Sequence, residues 1–117
     1  MRENVVKSKS FALALRVVKL SRFLQLDKKE YVLSKQILRS GTAVGALIRE
    51  AEHAESRADF IHKMSIALKE ANETLYWLDL LHQSELIDNT AYQSIFSDSE
   101  EVLKLLISIV KTSKMSK

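Results

Sequence analysis

Hydrophobic residues recur every three or four positions along four stretches of the chain, the spacing that places them on one face of an α-helix. The pattern predicts helices over residues 5–26, from residue 27 to about 54, from 56 to about 83, and from 88 onward. In the first helix one apolar stripe is joined by a second that lies beside it. The first stripe is Leu13, Val17, Leu20 and Leu24, and the second is Phe11, Ala14 or Leu15, and Val18.

Polar residues at three helix starts have the spacing of N-caps. Asp27 and Glu30 match a capping box, in which Asp27 accepts a backbone N–H and Glu30 reaches back. Ser56 and Asp59 have the same spacing before the third helix, with Asp in place of the preferred Glu. Asp88 is the predicted cap of the fourth helix. Each predicted cap lies within about five residues of the end of the preceding helix, so the connections between helices are short.

Four helices with short connections predict an all-α fold, an antiparallel up-down-up-down four-helix bundle. The 117 residues contain no proline and two glycines, so few residues interrupt a helix. No linker divides the chain, and residues 1–117 are expected to form one domain. Gly41 and Gly45 lie inside the second helix, where each costs about 1 kcal/mol relative to alanine. Close approach of a neighbouring helix would offset that cost. The alternative is a ligand that occupies the notch left by the two missing side chains.

The first and fourth helices carry apolar residues around more of their circumference than one core face needs. A helix with a single buried face needs an apolar stripe about 100° wide. The segment at residues 103–110 holds six apolar residues in eight positions. This excess predicts self-association into a homo-oligomer, and the alternative is a more thoroughly buried helix.

Several classes of function find no support in the residues. The chain has no cysteine, so it has neither a disulfide framework nor a cysteine-rich zinc site. Apolar runs are too short for a membrane span, and the first residues lack the apolar core of a signal peptide. We therefore expect a cytoplasmic protein without membrane contact. No nucleophile arrangement, phosphate loop or nucleotide fingerprint is present, which favours a non-enzymatic protein without a cofactor or small-molecule substrate.

Positive charge is concentrated near the start of the chain. Residues 1–39 hold ten Lys or Arg and three acidic residues, a net charge of +7, within a chain of net charge +3. Such a basic face is compatible with RNA or DNA, or is simply a solvated surface. Phe11 and Phe23 are expected in the core, so base stacking lacks support. The candidate nucleic-acid-binding residues are Lys9, Arg16, Lys19, Arg22, Lys28, Lys29 and Lys35.

Arg39, Glu50, Glu70 and Glu73 form a candidate polar cluster on the second and third helices. Glu70 and Glu73 are three residues apart and share one helical face. Arg39 on the antiparallel neighbour can pair with them, which favours a clasp that sets helix register or a subunit contact. A functional pocket is the alternative reading of the same residues.

Two Glu-x-x-His-like spacings resemble the motifs of di-iron bundles. They are Glu50 with His53, and Asp79 with His82. A dinuclear site also needs an inward carboxylate from each remaining helix. The first helix offers only Glu3, and the fourth offers Glu100 and Glu101 near a polar stretch. We expect no metal site, and a di-metal enzyme is a remote alternative.

Three segments resemble the family of small four-helix-bundle proteins encoded within intervening sequences of 23S rRNA genes, also called S23. They are residues 36–40 (QILRS), Glu50 with residues 56–60 (SRADF), and residues 69–78 (KEANETLYWL). The chain differs where the family often reads Ser-Ile-x-x-Asn-Ile, since Ala43-Val44 and Leu47-Ile48 stand there. It is similar also to the accessory variability protein of diversity-generating retroelements, a basic pentameric barrel associated with nucleic acid and a reverse transcriptase.

The resemblance implies a homo-oligomeric ring, with a pentamer as the expected form, that associates with RNA and has no established enzymology. Together with the charge pattern, it predicts an oligomer that binds RNA or DNA through the basic first helix. The alternative is a structural or protein-interaction scaffold that binds no nucleic acid.

Overall fold

The computed structural model describes the backbone of residues 2–115 and the side chains of residues 5–115. These residues form four helices and the three loops that join them: α1 (Arg2–Leu26), α2 (Leu33–Ala51), α3 (Arg57–Gln83) and α4 (Asn89–Met115). They form an antiparallel up-down-up-down bundle of 49 × 21 × 19 Å, which confirms the predicted fold class. Between residues 2 and 115, no helix combines the length and the apolar character that crossing a membrane requires.

The core lies along the bundle axis and receives one stripe from each helix. Its side chains range in size from Ala67 and Ala71 to Met64 and Leu78. Each fully buried Leu, Ile, Val or Met contributes about 1.5–3 kcal/mol relative to an exposed position. The largest are Val6, Leu13, Val17 and Leu24 of α1, Ile37 and Val44 of α2, Met64, Leu78 and Leu81 of α3, and Val102 and Leu106 of α4.

The start of α2 differs from the prediction, because Asp27 does not cap it. The helix begins at Leu33, and Val32 occupies the N-cap position without a side-chain hydrogen bond. Glu30 provides the cap instead: its carboxylate accepts the backbone N–H groups of Leu33 at 3.0 Å and Ser34 at 2.8 Å. Burial alone would raise the pKa of Glu30, but the backbone hydrogen bonds outweigh it and lower that pKa.

The starts of α3 and α4 agree with their predicted caps. Ser56 Oγ accepts the N–H of Asp59 at 3.0 Å, and Asp59 Oδ2 accepts the N–H of Glu55 at 3.1 Å. Asp88 Oδ1 accepts the N–H of Ala91 at 2.8 Å, which makes it a cap of α4 as predicted. α3 ends at the predicted residue, whereas α2 ends at Ala51, before the predicted 54.

The two glycines of α2 differ in how closely α1 approaches them. A Cβ atom at Gly41 would lie 2.8 Å from both Cγ atoms of Val17, so only glycine allows this approach. A Cβ atom at Gly45 would meet Ser10 Oγ at 3.5 Å, an ordinary contact. The close-approach explanation therefore holds at Gly41, and Gly45 borders a shallow groove between α1 and α2.

Candidate nucleic-acid interface

Two of the seven candidate basic residues are paired with acids of α4. Arg16 Nη1 lies 2.7 Å from Asp98 Oδ2, and Arg16 Nη2 donates to Ser94 Oγ at 2.9 Å. Lys9 Nζ lies 3.0 Å from Glu101 Oε2. Both side chains lie between α1 and α4, so their charges are largely neutralised where a phosphate would have to approach.

The other five candidates lie together at one end of the bundle. α1 ends and α2 begins there, so the antiparallel turn brings the last turns of α1, the loop and the first turn of α2 together. All five side chains are exposed, and none forms an ion pair with another residue in the part of the chain that the structure describes. Lys28 Nζ lies 5.9 Å from the centroid of the Phe23 ring. We call this surface the basic end: Lys19, Arg22, Lys28, Lys29 and Lys35.

The segment from Lys19 to Lys35 contains only two acidic residues, Asp27 and Glu30, against the five cations. Asp27 is exposed and lies beside Lys28 in the sequence. The carboxylate of Glu30 is occupied by the backbone N–H groups of α2. The basic end therefore keeps a net positive charge available to an anionic ligand.

Phe11 and Phe23 are not core residues, contrary to the sequence-based expectation. Their exposed fractions are 51% and 39%, and Leu15 is also 51% exposed. The buried face of α1 is defined by Val6, Leu13, Val17 and Leu24, and the second apolar stripe points away from it. The guanidinium of Arg49 lies 5.3 Å from the centroid of the Phe11 ring. Both aromatic rings are thus accessible on the surface of α1.

A cavity of about 410 Å³ opens between the basic end and the α3–α4 loop. On its α3 side the ring of His82 stacks on Tyr92, with ring centroids 4.0 Å apart. Tyr92 Oη donates to Asp79 Oδ1 at 2.5 Å, and this hydrogen bond, together with burial and the negative charge, raises the pKa of Tyr92 to about 12. The residues that line the cavity are Phe23, Lys28, His82, Glu85, Leu86, Ile87, Asp88 and Asn89.

This cavity was missed by the sequence reasoning. Phe23 and Lys28 are separated from His82 and Glu85 by more than fifty residues, and no local motif marks either segment. Only the antiparallel packing brings the last turn of α1 beside the α3–α4 loop. Phe23, which directly follows Arg22, was the one available signal in the sequence, and its helical position beside the core stripe led to its assignment to the core.

The polar cluster on α2 and α3 includes three of the four predicted residues. Arg39 Nη1 donates to Glu70 Oε1 at 3.1 Å, and Arg39 Nη2 also pairs with Glu73. Trp77 Nε1 donates to Glu73 Oε2 at 2.8 Å. The Trp77 hydrogen bond and the Arg39 guanidinium together lower the pKa of Glu73 against the opposing effect of burial. Because these side chains are partly exposed, the arrangement is a clasp of modest strength between the two helices.

Glu50 does not join this cluster. It lies eleven residues after Arg39 on α2, about 16 Å farther along the helix axis. Its carboxylate instead lies 3.0 Å from Lys63 Nζ, and this hydrogen bond raises the pKa of Lys63. Sequence spacing alone did not separate Glu50 from the other three residues.

The two Glu-x-x-His-like motifs lie at opposite ends of the bundle. Glu50 and His53 are at the C-terminal end of α2, whereas Asp79 and His82 are in the last turns of α3. The separation is roughly 30 Å along the axis, so they cannot share a dinuclear site. Within residues 5–115 no group of three or more His, Asp or Glu is placed to hold a metal ion. The Glu3 carboxylate lies outside the described side chains.

The fold and this surface define a class of protein: a small antiparallel four-helix bundle with unpaired cations at one end. Comparison with known proteins identifies its family. The sequence model of the 23S rRNA-intervening sequence protein family matches residues 2–108, and the chain belongs to that family. Comparison with the curated proteins finds no match.

A solved structure supports the same assignment. It is a protein of unknown function from the S23 ribosomal protein family of Bacteroides thetaiotaomicron VPI-5482. The two chains are 62% identical, with a TM-score of 0.93 over 95% of this chain and 99% of the other. The resemblance of the sequence to the S23 family is thereby confirmed.

Proposed function

We propose that this protein is a non-catalytic, homo-oligomeric bundle that binds RNA or DNA by contacting phosphates with its basic end. The observation that carries the proposal is the group of five unpaired cations around the turn between α1 and α2. Lys and Arg side chains of this kind bind phosphate without reading sequence. The family description refers to 23S rRNA and the relative's name to a ribosomal protein family, so RNA is the first probe to use.

Self-association is supported by the outer face of α1. Phe11 and Leu15 lie four residues apart, so they are neighbours on the helix surface, and each is half exposed. Thr42, Gly45 and Ala46 form a shallow groove of about 280 Å³ beside Phe11. A closed ring would bury this surface and repeat the basic end once per subunit. Following the family resemblance, we propose five subunits.

Repetition of the basic end would strengthen nucleic-acid binding. A single basic end offers five cations, and for single strands each phosphate contact contributes a slope of about 0.7 in log–log salt dependence. One subunit would thus give a slope of about 3.5 if all five take part. Several subunits on one strand would add avidity without any new type of contact.

The binding test uses fluorescence anisotropy with a labelled RNA at several salt concentrations. We expect the triple variant Lys19→Glu, Arg22→Glu and Lys28→Glu to reduce affinity by at least a hundredfold and to flatten the salt dependence. The matched control is Arg57→Glu, Lys69→Glu and Lys111→Glu, which makes the same charge change at exposed positions outside the basic end. Equal loss in both variants would show general charge attraction and would contradict the assigned surface.

The assembly test is native mass spectrometry of the protein purified gently at low salt. We expect a species of five times the chain mass of 13.4 kDa, and we expect Leu15→Glu to dissociate it. Ala12→Glu, an exposed position outside the Phe11–Leu15 pair, is the matched control. An intact oligomer that carries no nucleic acid and binds none in the anisotropy test would favour the scaffold function. A monomeric wild-type protein would contradict the oligomer.

A further inference from the structure

The cavity beside the basic end has features that phosphate binding does not require. It presents ring systems from two different helices, Phe23 on α1 and His82 on α3. His82 is stacked on Tyr92, and Tyr92 is in turn hydrogen-bonded to Asp79. This support holds the imidazole in one orientation, as a stacking surface requires. Phe23 is exposed at the cavity wall even though burial would be the favourable state for its ring.

The charges around the cavity are arranged with opposite signs. Lys28 is part of the lining and belongs to the basic end, and its ammonium lies near the Phe23 ring. Glu85 is also part of the lining and lies in the α3–α4 loop. In the described part of the chain its carboxylate forms no ion pair or side-chain hydrogen bond. Asp88, the other acid of the lining, uses Oδ1 to cap α4.

An anion alone fits this lining poorly, because Glu85 and Asp88 would repel it. A nucleotide suits both the positive and the negative residues of the lining, since its phosphate can contact Lys28 while its base enters the cavity beside Glu85. A carboxylate accepts hydrogen bonds from an exocyclic amino group, as Glu and Asp do from the N4 group of cytosine. Uracil and thymine carry a carbonyl oxygen at the equivalent position and would face the Glu85 carboxylate unfavourably.

From these features we infer that the cavity between Phe23 and His82 is a subsite for one unpaired base that carries an exocyclic amino group. The base lies against the aromatic rings, its amino group donates to Glu85, and its phosphate contacts Lys28. A base inside a duplex cannot enter, so the subsite confers preference for single strands or unpaired ends. This inference rests on the proposed function, because it gives one nucleotide of the bound strand a specific place.

The test compares labelled oligonucleotides of about 12 residues, within the range of single-strand binding sites. Oligo(C) and oligo(U) differ in the amino group with little difference in size, and a blunt duplex offers no unpaired base. We expect wild-type protein to bind oligo(C) more tightly than oligo(U) or the duplex at neutral pH. The same oligonucleotides as DNA show whether the ribose contributes.

Two variants separate stacking from hydrogen bonding, and a third is their control. Phe23→Leu keeps an apolar side chain and removes the ring, and we expect oligo(C) to bind at least fivefold more weakly with an unchanged salt slope. Glu85→Ala removes the acceptor, and we expect the oligo(C)-to-oligo(U) affinity ratio to fall to about one. Tyr76→Leu, at another exposed aromatic residue, is the matched control and should change neither quantity.

The outcomes distinguish this inference from the proposed function. If Phe23→Leu and Glu85→Ala leave both the affinity and the ratio unchanged, while the triple charge reversal still abolishes binding, the subsite is wrong and the phosphate-binding function stands. Equal wild-type affinity for oligo(C), oligo(U) and duplex would also overturn the subsite. If no oligonucleotide binds wild-type protein at low salt, both proposals are contradicted.

Discussion

α1 contacts its two neighbours in different ways. Against α2, the backbone of Gly41 receives the branched side chain of Val17, and Ser21 Oγ donates to the Ser34 carbonyl at 3.1 Å. Against α4, Arg16 and Lys9 form ion pairs, and a cavity of about 270 Å³ remains between the helices. The position of α1 is thus set by close packing on α2, whereas α4 mainly determines which cations of α1 stay available.

The largest expected effect comes from adding one methyl group to the α1–α2 contact. Gly41→Ala places a Cβ atom 2.8 Å from both Cγ atoms of Val17, so a helix or a side chain must shift. Overpacking of this kind outweighs the gain in helix propensity, and we expect the free energy of unfolding to fall by about 1–2 kcal/mol. Urea denaturation measures it.

A double-mutant cycle with Val17→Ala tests the cause. Removing the Val17 methyl groups makes room for the new Cβ, so the double variant should be more stable than the sum of the single effects implies. Strict additivity would show that the two residues do not interact and that the loss in Gly41→Ala has another origin.

The second effect concerns the turn that joins α1 to α2. Glu30→Ala removes the carboxylate that accepts the first N–H groups of α2, and we expect a loss of about 1 kcal/mol at neutral pH. The folded pKa of Glu30 is lowered from 4.5. Its stabilisation is therefore complete above about 4.5 and disappears as the pH falls through the folded value.

Measuring the free energy of unfolding at decreasing pH tests Glu30 as the cap of α2. The difference in unfolding free energy between wild type and Glu30→Ala should shrink as the pH falls below about 4.5, since protonated Glu30 no longer attracts the N–H groups as strongly. Asp27→Ala is the matched control, because Asp27 does not cap α2, and it should cost less than Glu30→Ala. The reverse order would restore Asp27 as the cap.

The third effect has the opposite sign to the first. Gly45→Ala adds a Cβ atom that meets Ser10 Oγ at an ordinary 3.5 Å, so the benefit of alanine in a helix remains. We expect the free energy of unfolding to rise by about 0.7 kcal/mol. Because Gly45 and Gly41 lie one turn apart on α2, opposite signs measured by urea denaturation would localise the close contact to Gly41. A loss of stability in both variants would contradict the localisation of the close contact to Gly41.

The smallest effect is expected between α1 and α4. A double-mutant cycle on Arg16→Ala and Asp98→Ala should give a coupling of about 0.5 kcal/mol that decreases with salt, because both side chains are partly exposed. A coupling above 2 kcal/mol would mean that α4 positions α1 as strongly as α2 does. Asp98→Ala also frees the Arg16 charge, so it should increase nucleic-acid affinity slightly.

Sequence patterns predicted the fold because apolar periodicity and caps are local signals. Ser56 and Asp88 act where they were expected, since a cap contacts N–H groups only three residues away. The Asp27–Glu30 prediction failed although its spacing was correct. Between antiparallel helices the chain has to reverse, and the backbone of Lys29 adopts a φ of 56° in that turn, so α2 starts after Glu30 rather than at Asp27.

The candidate surface was less predictable, because its chemistry depends on residues that are distant in sequence. Arg16 is 82 residues from Asp98, so counting charges along α1 could not show that this cation is neutralised. Phe23 occupies an apolar helix position whose exposure depends on where α4 lies. Arg39 pairs with Glu70 and Glu73 as predicted, because an antiparallel hairpin places them opposite one another. The same argument did not take into account how far Glu50 lies from Arg39 along the α2 axis.

The arrangement of the helices around the core has a consequence for the folding pathway. In the described part of the chain, each helix backbone closely approaches only those of its two neighbours in the bundle, and the diagonal pairs share only the core. Three of these contacts join consecutive helices through short loops, which cost little entropy to close. Only α1 with α4 joins distant parts of the chain, so we expect this contact to form last and to open first. Hydrogen exchange should therefore be fastest along α4 and slowest where α2 packs between α1 and α3.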